Sequence, residues 1–232
     1  MKTTTATFVL AVALGPILLG ACSTPSVRSS TTPVLGSEKS LSPPLDEDCA
    51  STAAWVQANQ ARLPSQHEEF SRLPMNYRRA VFGALPPGTQ SSLWRRHLEA
   101  YLDARSELTP RQTALVRELM SLASPGFFAK VSDATRRYEA VEDLEALVAR
   151  TAQLFSTSER GTIFAEFGPP EAVTHARRPG LSAADFGDCN CSVDSDYCGS
   201  GSHCVRTGCP VTRLGCGTLW LYDCDGECFL RQ

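Results

Sequence analysis

The fold of this chain is decided by residues 188–228, DCNCSVDSDYCGSGSHCVRTGCPVTRLGCGTLWLYDCDGEC. This stretch holds eight of the ten cysteines of the 232-residue chain. A segment of about 45 residues buries too little apolar surface to be stable by packing alone. Four disulfides, each worth about 2–4 kcal/mol, would supply the missing stability. We therefore predict a small disulfide-rich domain of loops and short β-strands over residues 188–232.

Disulfides are the predicted state of these cysteines, but eight cysteines allow 105 pairings and the sequence does not choose among them. A bond between the first two is disfavoured, because near neighbours in the chain close a strained ring. The predicted disulfide cysteines are Cys189, Cys191, Cys198, Cys204, Cys209, Cys216, Cys224 and Cys228.

Zinc and calcium are the competing interpretations of the same stretch. Structural zinc sites draw on C-x2–4-C pairs, and the cysteine spacings here supply no two clean pairs of that kind. Oxygen-bearing side chains alternate from Asp188 to Asp196 as in a calcium loop, but Val193 stands where such a loop needs glycine. We therefore predict no metal and no cofactor.

Two aromatic residues near the end of the stretch are candidates to face a partner. Residues 217–222, GTLWLY, alternate like a β-strand that would place Trp220 and Tyr222 on the same side. In so small a domain these rings either form the core or stay exposed to engage a partner or a membrane interface. Both alternatives remain open on sequence grounds.

The cysteine-rich stretch resembles the fulvocin C-related bacteriocins of myxobacteria. The resemblance is carried by NCS at 190–192, SDYC at 195–198, the spacing to the next two cysteines, and GCGT at 215–218 followed by Trp220 and Tyr222. Upstream, residues 76–85 and 93–98 resemble the helical region of larger proteins of this group. The resemblance implies a bacteriocin-like role for the C-terminal domain.

Residues 47–168 have the pattern of a helical domain, so the predicted fold class is mainly α with five or six helices. Capping signals stand at Ser65, Thr109 and Ser124. Leu93, Trp94, His97, Leu98, Tyr101 and Leu102 share one helical face, and Leu144, Leu147, Val148 and Leu154 form another apolar stripe. Gly168 before two prolines predicts the end of the last helix.

Residues 169–187 form a predicted linker. Its sequence RRPG at 177–180 is either a protease site or plain connecting loop, and exposed linkers are where proteolysis concentrates.

The beginning of the chain predicts export and lipidation. Residues 1–21 have the charged and apolar regions of a signal peptide. LGAC at 19–22 resembles a bacterial lipobox, so we predict lipidation of Cys22; an ordinary secretory signal is the alternative. Residues 22–46 would then form a lipid anchor and a Ser/Thr/Pro-rich tether. The predicted location is the bacterial cell envelope, at the outer membrane or surface, where disulfides persist.

Charge and motifs exclude several function classes. The chain has 22 basic and 25 acidic side chains and a net charge of −3, without the basic excess of a nucleic-acid footprint. The four histidines, His67, His97, His175 and His203, are scattered, and Cys49 is the one cysteine outside the tail and the lipobox. His97 is expected at the edge of the core and His67 on a solvated surface. We predict no enzyme and no small-molecule substrate, because no motif assembles a nucleophile with a base.

Three functions are compatible with this organisation. The leading hypothesis is a bacteriocin-like surface lipoprotein or precursor whose C-terminal domain acts on the envelope of competing bacteria, either after release or in place. The helical domain would then be a carrier, a folding aid or a mask. The second is a non-toxic structural or adhesive lipoprotein with the C-terminal domain as a rigid binding knob. In the third, the helical domain does the work and the tail is a protease-resistant cap.

Overall fold

The computed structural model of the chain describes residues 49–133, 135–168, 189–199 and 201–231. The first two ranges are helical and the last two contain short antiparallel strands with disulfides. The prediction of a mainly α fold with a disulfide-rich C-terminal domain is confirmed. The predicted signal peptide, the tether with Cys22, the linker and His175 lie outside the described residues.

Eight α-helices are present in the described chain, where the sequence predicted five or six. They are α1 Cys49–Ala58, α2 His67–Ser71, α3 Met75–Ala84, α4 Pro87–Asp103, α5 Pro110–Leu122, α6 Pro125–Ser132, α7 Arg137–Thr151 and α8 Thr157–Phe164. The number is higher because the segment also contains short helices, α2 with five residues and α6 and α8 with eight residues each. None of the described helices is long and apolar enough to cross a membrane.

The caps show how far local sequence determines these helices. Thr109 forms the predicted capping box with Gln112, and Ser124 accepts the amide of Phe127. The signal at Ser65 was wrong, because α2 begins at His67 with Gln66 as its N-cap residue. A second capping box, at Ser156, went unrecognised in the sequence. The last helix ends at Phe164, four residues before the predicted stop at Gly168.

The helical core is built around α4. Its predicted face is buried at Leu93, Trp94, His97, Leu98 and Tyr101. This face contacts α5 and α6, which pack in turn on α7. Burial of each large apolar side chain contributes about 1.5–3 kcal/mol, so this face supplies much of the stability of the helical domain.

The C-terminal domain contains two small antiparallel sheets. Strand β1, Ser202–Val205, pairs with β4, Glu227–Leu230, and β2, Thr212–Cys216, pairs with β3, Tyr222–Cys224. The predicted strand over 217–222 was wrong. A short 3-10 turn, Thr218–Trp220, occupies half of it, and positive φ values at Leu219 and Trp220 break the alternation that a strand requires.

The two domains share one hydrophobic core. Leu219, Trp220 and Leu221 of the C-terminal domain belong to the same buried cluster as the side chains of the helices. The four buried cysteines Cys189, Cys209, Cys216 and Cys224 form a second, smaller cluster. The C-terminal domain therefore contributes directly to the packing of the helical domain.

Candidate functional site

Four disulfides cross-link the C-terminal domain. They are Cys189–Cys209, Cys191–Cys204, Cys198–Cys228 and Cys216–Cys224, with Cα–Cα distances between 5.1 and 5.9 Å. These distances lie in the normal range for the bond. The Sγ atoms of Cys191, Cys198 and Cys204 lie within 4.8 Å of one another. Because all three belong to disulfides, they are not available as thiolate ligands for a metal.

Two of the side chains that suggested a calcium loop accept backbone hydrogen bonds. The Asp196 carboxylate accepts the amides of Cys198 and Cys204 at 2.8 and 2.9 Å. Asn190 Oδ1 accepts the amide of Cys228 at 3.2 Å. These bonds hold the loops between the bridges in place, which is a structural role.

Trp220 is inserted into the helical domain. Only 2% of its surface is exposed, and its Nε1–H donates to the carbonyl of Ala165 at 2.9 Å. Four rings surround it, at centroid distances from 5.3 to 6.2 Å: Phe70, Phe82, Trp94 and Phe167. We call these four rings the aromatic socket. Trp220 is thus neither the core of a self-contained small domain nor exposed to an external partner.

A strained turn presents Trp220 to the socket. Gly217, Leu219 and Trp220 have φ values of 67°, 51° and 59°, and such values disfavour residues other than glycine. The amide of Thr218 donates to Ser195 Oγ at 3.0 Å, and Tyr197 Oη lies 2.9 Å from Thr218 Oγ1. The neighbouring loop therefore holds the turn in its unusual conformation.

The space around Gly217 is too small for a side chain. A Cβ atom there would lie 2.6 Å from Ser195 Cβ and 2.7 Å from Tyr222 Cδ2. These separations are shorter than van der Waals contact allows, so only glycine fits at this position of the turn.

Two polar contacts also join the domains at their interface. Arg79 Nη1 donates to the carbonyl of Asn190 at 3.0 Å, and Tyr222 Oη donates to Glu145 Oε1 at 3.1 Å. Burial, and secondly the charge of Glu145, raise the pKa of Tyr222. Tyr222 therefore stays protonated as a donor. It is half-buried at the seam, facing α7.

Consecutive arginines of α3 hold the two ends of segment 168–189. Arg78 is buried, and its guanidinium donates to the carbonyls of Leu73, at 2.6 Å, and of Phe167. Arg79 holds Asn190, as described above. The chain thus leaves the helical domain and enters the C-terminal domain at neighbouring points of one helix.

His97 packs against Phe167, one of the four rings of the aromatic socket. Its ring stacks on that of Phe167 at 5.0 Å, and its Nε2–H donates to the carbonyl of Thr162 at 2.8 Å. Burial lowers the pKa of His97 to about 4, so the ring is neutral at pH 7. His67, which we expected on a solvated surface, is half-buried with its ring 5.4 Å from Phe167. Burial lowers its pKa also.

The sequence did not identify Phe70, Phe82, Phe167, Arg78 or Arg79 as functional residues. Their long-range contacts have no local signal, and paired arginines on a helix usually indicate an exposed face. The motif Gly215-x-Gly217 just before Trp220 is the one local sign of an unusual turn. Cys49 begins α1, and its side chain lies outside the described part of the structure.

Comparison with known proteins links the chain to a bacteriocin. A segment of 42 residues, 17% of this chain, is 45% identical to the bacteriocin fulvocin-C of Myxococcus fulvus and covers 93% of that protein. The matched length is that of the disulfide domain, whose motifs carry the resemblance described above. No protein-family model matches the chain, and no solved structure matches it.

Proposed function

This chain belongs to the fulvocin-C-related proteins through its cysteine-rich segment, and on that premise we propose that it is a bacteriocin-like surface lipoprotein or precursor. The disulfide domain is the effector that acts on competing bacteria. The helical domain carries the effector and masks it until the chain has been cut and the effector has dissociated from the helices. No enzymatic step, cofactor or nucleic acid is part of this function.

The observation that carries the proposal is the burial of Trp220 in the aromatic socket. The matched bacteriocin is 93% covered by a 42-residue segment, so a domain of this size can constitute a whole bacteriocin. In this chain, the face of that domain that bears Trp220 is covered by helices. An effector whose largest aromatic side chain is covered cannot use that side chain on a target, which supports a masking role.

Disulfides support release of the domain as an active unit. The four bridges join cysteines of residues 189–228 to one another. A cross-linked domain resists unfolding after separation, because the bridges limit the entropy of its unfolded state.

The lipid anchor of the proposal rests on the sequence LGAC at residues 19–22. Acylation of Cys22 would hold the masked form on the producing cell, since each buried methylene adds about 0.8 kcal/mol of membrane affinity. The membrane, through this lipid, and the envelope of a target bacterium are then the two partners.

A binding role without toxicity is the second candidate. In the docked state Val211 and Leu230 of the disulfide domain are 56% and 63% exposed. These apolar side chains are available to a partner without any release, as an adhesive knob on the cell surface would require.

Intact mass spectrometry of the native protein, from cell envelope and from medium, tests the proposal. We expect acylated full-length chain in the envelope and, in the medium, a peptide of the size of the disulfide domain. Reduction should add about two daltons for each of its bridges, and the purified peptide should inhibit growth of related bacteria. Full-length chain alone in the envelope, with no inhibitory peptide, would contradict release and favour the adhesive role.

A further inference from the structure

The two domains are held together by one stretch of peptide and one packed interface. Each of the four described disulfides joins two cysteines of the C-terminal domain. Within the described chain, no disulfide therefore links that domain to the helices. After a cut in segment 169–188, only the interface would keep the domains together.

This interface has the composition of a strong binding site. A tryptophan fills a socket of aromatic rings and is fully hydrogen-bonded at Nε1. Hydrogen bonds from Arg79 and Tyr222 also join the two domains. Buried tryptophan anchors surrounded by polar contacts dominate the affinity of many protein complexes.

The interface contacts described above come from residues on either side of the segment between the domains. Its two ends are fixed to the helical domain by Arg78 and Arg79 on either side of the cut. Cutting the segment therefore leaves both anchoring contacts and the occupant of the socket unchanged.

Removal of Trp220 from the aromatic socket would leave a cavity in the core of the helical domain. Phe70, Phe82, Trp94 and Phe167 are each at most 4% exposed while Trp220 is in place. Its removal brings these rings into contact with water, which disfavours the empty state. The socket therefore has a strong tendency to take up another copy of the same turn.

We propose that the helical domain is a binding protein for the disulfide domain, which it retains after the chain is cut and also captures from a second molecule. The ligand is an oxidised disulfide domain that presents Trp220 on its strained turn. This inference rests on the proposed function for its biological meaning, because capture of a free effector would protect the cell that displays the socket. The binding itself does not depend on toxicity.

The test uses the full chain with a recognition sequence for a specific protease inserted between Pro179 and Gly180. The purified, oxidised protein is cut to completion and analysed by native mass spectrometry at micromolar concentration. We expect both fragments in one complex. Mixing cut chains of ordinary and ¹⁵N-labelled protein should then produce hybrid complexes of one light and one heavy fragment.

Variants of the same cut protein define the role of the socket. Trp220→Ala should weaken the association of the fragments on the order of 100-fold, and Trp220→Phe, which keeps a ring, by about tenfold or less. Tyr138→Ala is the matched control, since Tyr138 is an aromatic residue 79% exposed to solvent, and it should leave the association unchanged.

Separation of the wild-type fragments at micromolar concentration would overturn the proposal. A complex that never forms hybrids would overturn capture from a second molecule, and equal association of the Trp220→Ala variant would remove the socket from the argument. If Trp220→Ala fails to fold, the wild-type hybrids and the Trp220→Phe variant decide the outcome. Growth inhibition is a separate readout, so loss of toxicity contradicts the proposed function without affecting the binding result.

Discussion

The ring of Trp220 lies 5.3 Å from the ring of Phe82, at an interplanar angle of 90°. This edge-to-face contact joins residues 138 positions apart in the sequence and belonging to different domains. Aromatic pairs of this geometry add about 0.5–1.5 kcal/mol beyond the burial of their surface. The stability of the helices therefore depends on a residue of the disulfide domain.

Replacement of Trp220 should destabilise the whole chain. We expect Trp220→Ala to lower the free energy of unfolding by about 3–5 kcal/mol, because it empties the socket and leaves a cavity. Urea denaturation followed by circular dichroism at 222 nm measures this on the helices, which are distant in sequence from the substitution.

Leu230→Ala is the control for that experiment, since Leu230 lies in the same domain but is largely exposed. Its effect should stay within about 0.5 kcal/mol. A loss below about 1 kcal/mol for Trp220→Ala would mean that the helical core does not need the indole ring.

Gly217 should be irreplaceable even by alanine. Gly217→Ala places a methyl group against Ser195 and Tyr222 in a backbone conformation that disfavours a side chain. We expect a loss of about 1–3 kcal/mol in unfolding free energy. Gly208→Ala is the matched control, because a Cβ atom at that position would meet no atom within 4 Å. Equal effects of the two substitutions would show that the turn is not restricted.

Acid should weaken the fold through His97. The folded state holds its pKa near 4 against 6.5 in the unfolded chain, so the unfolded state binds more protons between these values. The neutral His97 ring contributes its full stabilisation above about pH 6.5. About 3 kcal/mol of the free energy of unfolding is lost as the pH falls towards 4. His67, Glu68 and Arg96 are the neighbouring charged or titratable groups.

Urea denaturation between pH 7 and pH 4.5 measures this loss. His97→Gln retains a donor for the Thr162 carbonyl but does not titrate, so its stability should fall less steeply over the interval. Glu159 and Asp225 have lowered pKa values and respond at lower pH, in variant and wild type alike. A slope for His97→Gln parallel to that of the wild type would exclude His97 as the cause.

The disulfides should stabilise the fold by different amounts, according to the lengths of the loops they close. Cys198–Cys228 spans 30 residues and Cys216–Cys224 spans 8. A longer closed loop restricts the unfolded chain more. Replacing both cysteines of Cys198–Cys228 with serine should therefore lower the free energy of unfolding by about 1 kcal/mol more than the same change at Cys216–Cys224. Denaturation of the two double variants in oxidising buffer gives the comparison. The reverse order would indicate that Cys216–Cys224 contributes mainly by shaping the Trp220 turn.

Much of the fold follows from local sequence, and most of the site does not. The Thr109 capping box and the buried face of α4 were predictable, because capping and helical periodicity involve residues a few positions apart. Docking of Trp220 into the socket joins α2, α3, α4 and the end of the helical domain. No periodicity within residues 217–222 encodes that contact.

The mistaken strand over 217–222 has a similar origin. Alternation of apolar residues predicted it, but Leu219 and Trp220 have positive φ values, and the preceding residue Thr218 bonds to Ser195 and Tyr197 of a loop distant in sequence. Disulfide pairing was likewise undetermined, since it depends on which Cα atoms the folded loops bring within reach.

The position of Trp220 near the end of the chain also orders the events of biosynthesis. The helices emerge from the ribosome long before residue 220, so their core must wait for its last aromatic side chain. The turn that delivers this side chain lies between Cys216 and Cys224, which are bonded to each other. Completion of the helical core is thereby coupled to oxidation of the C-terminal domain, and a chain that is still reduced presents an unfilled socket to proteases.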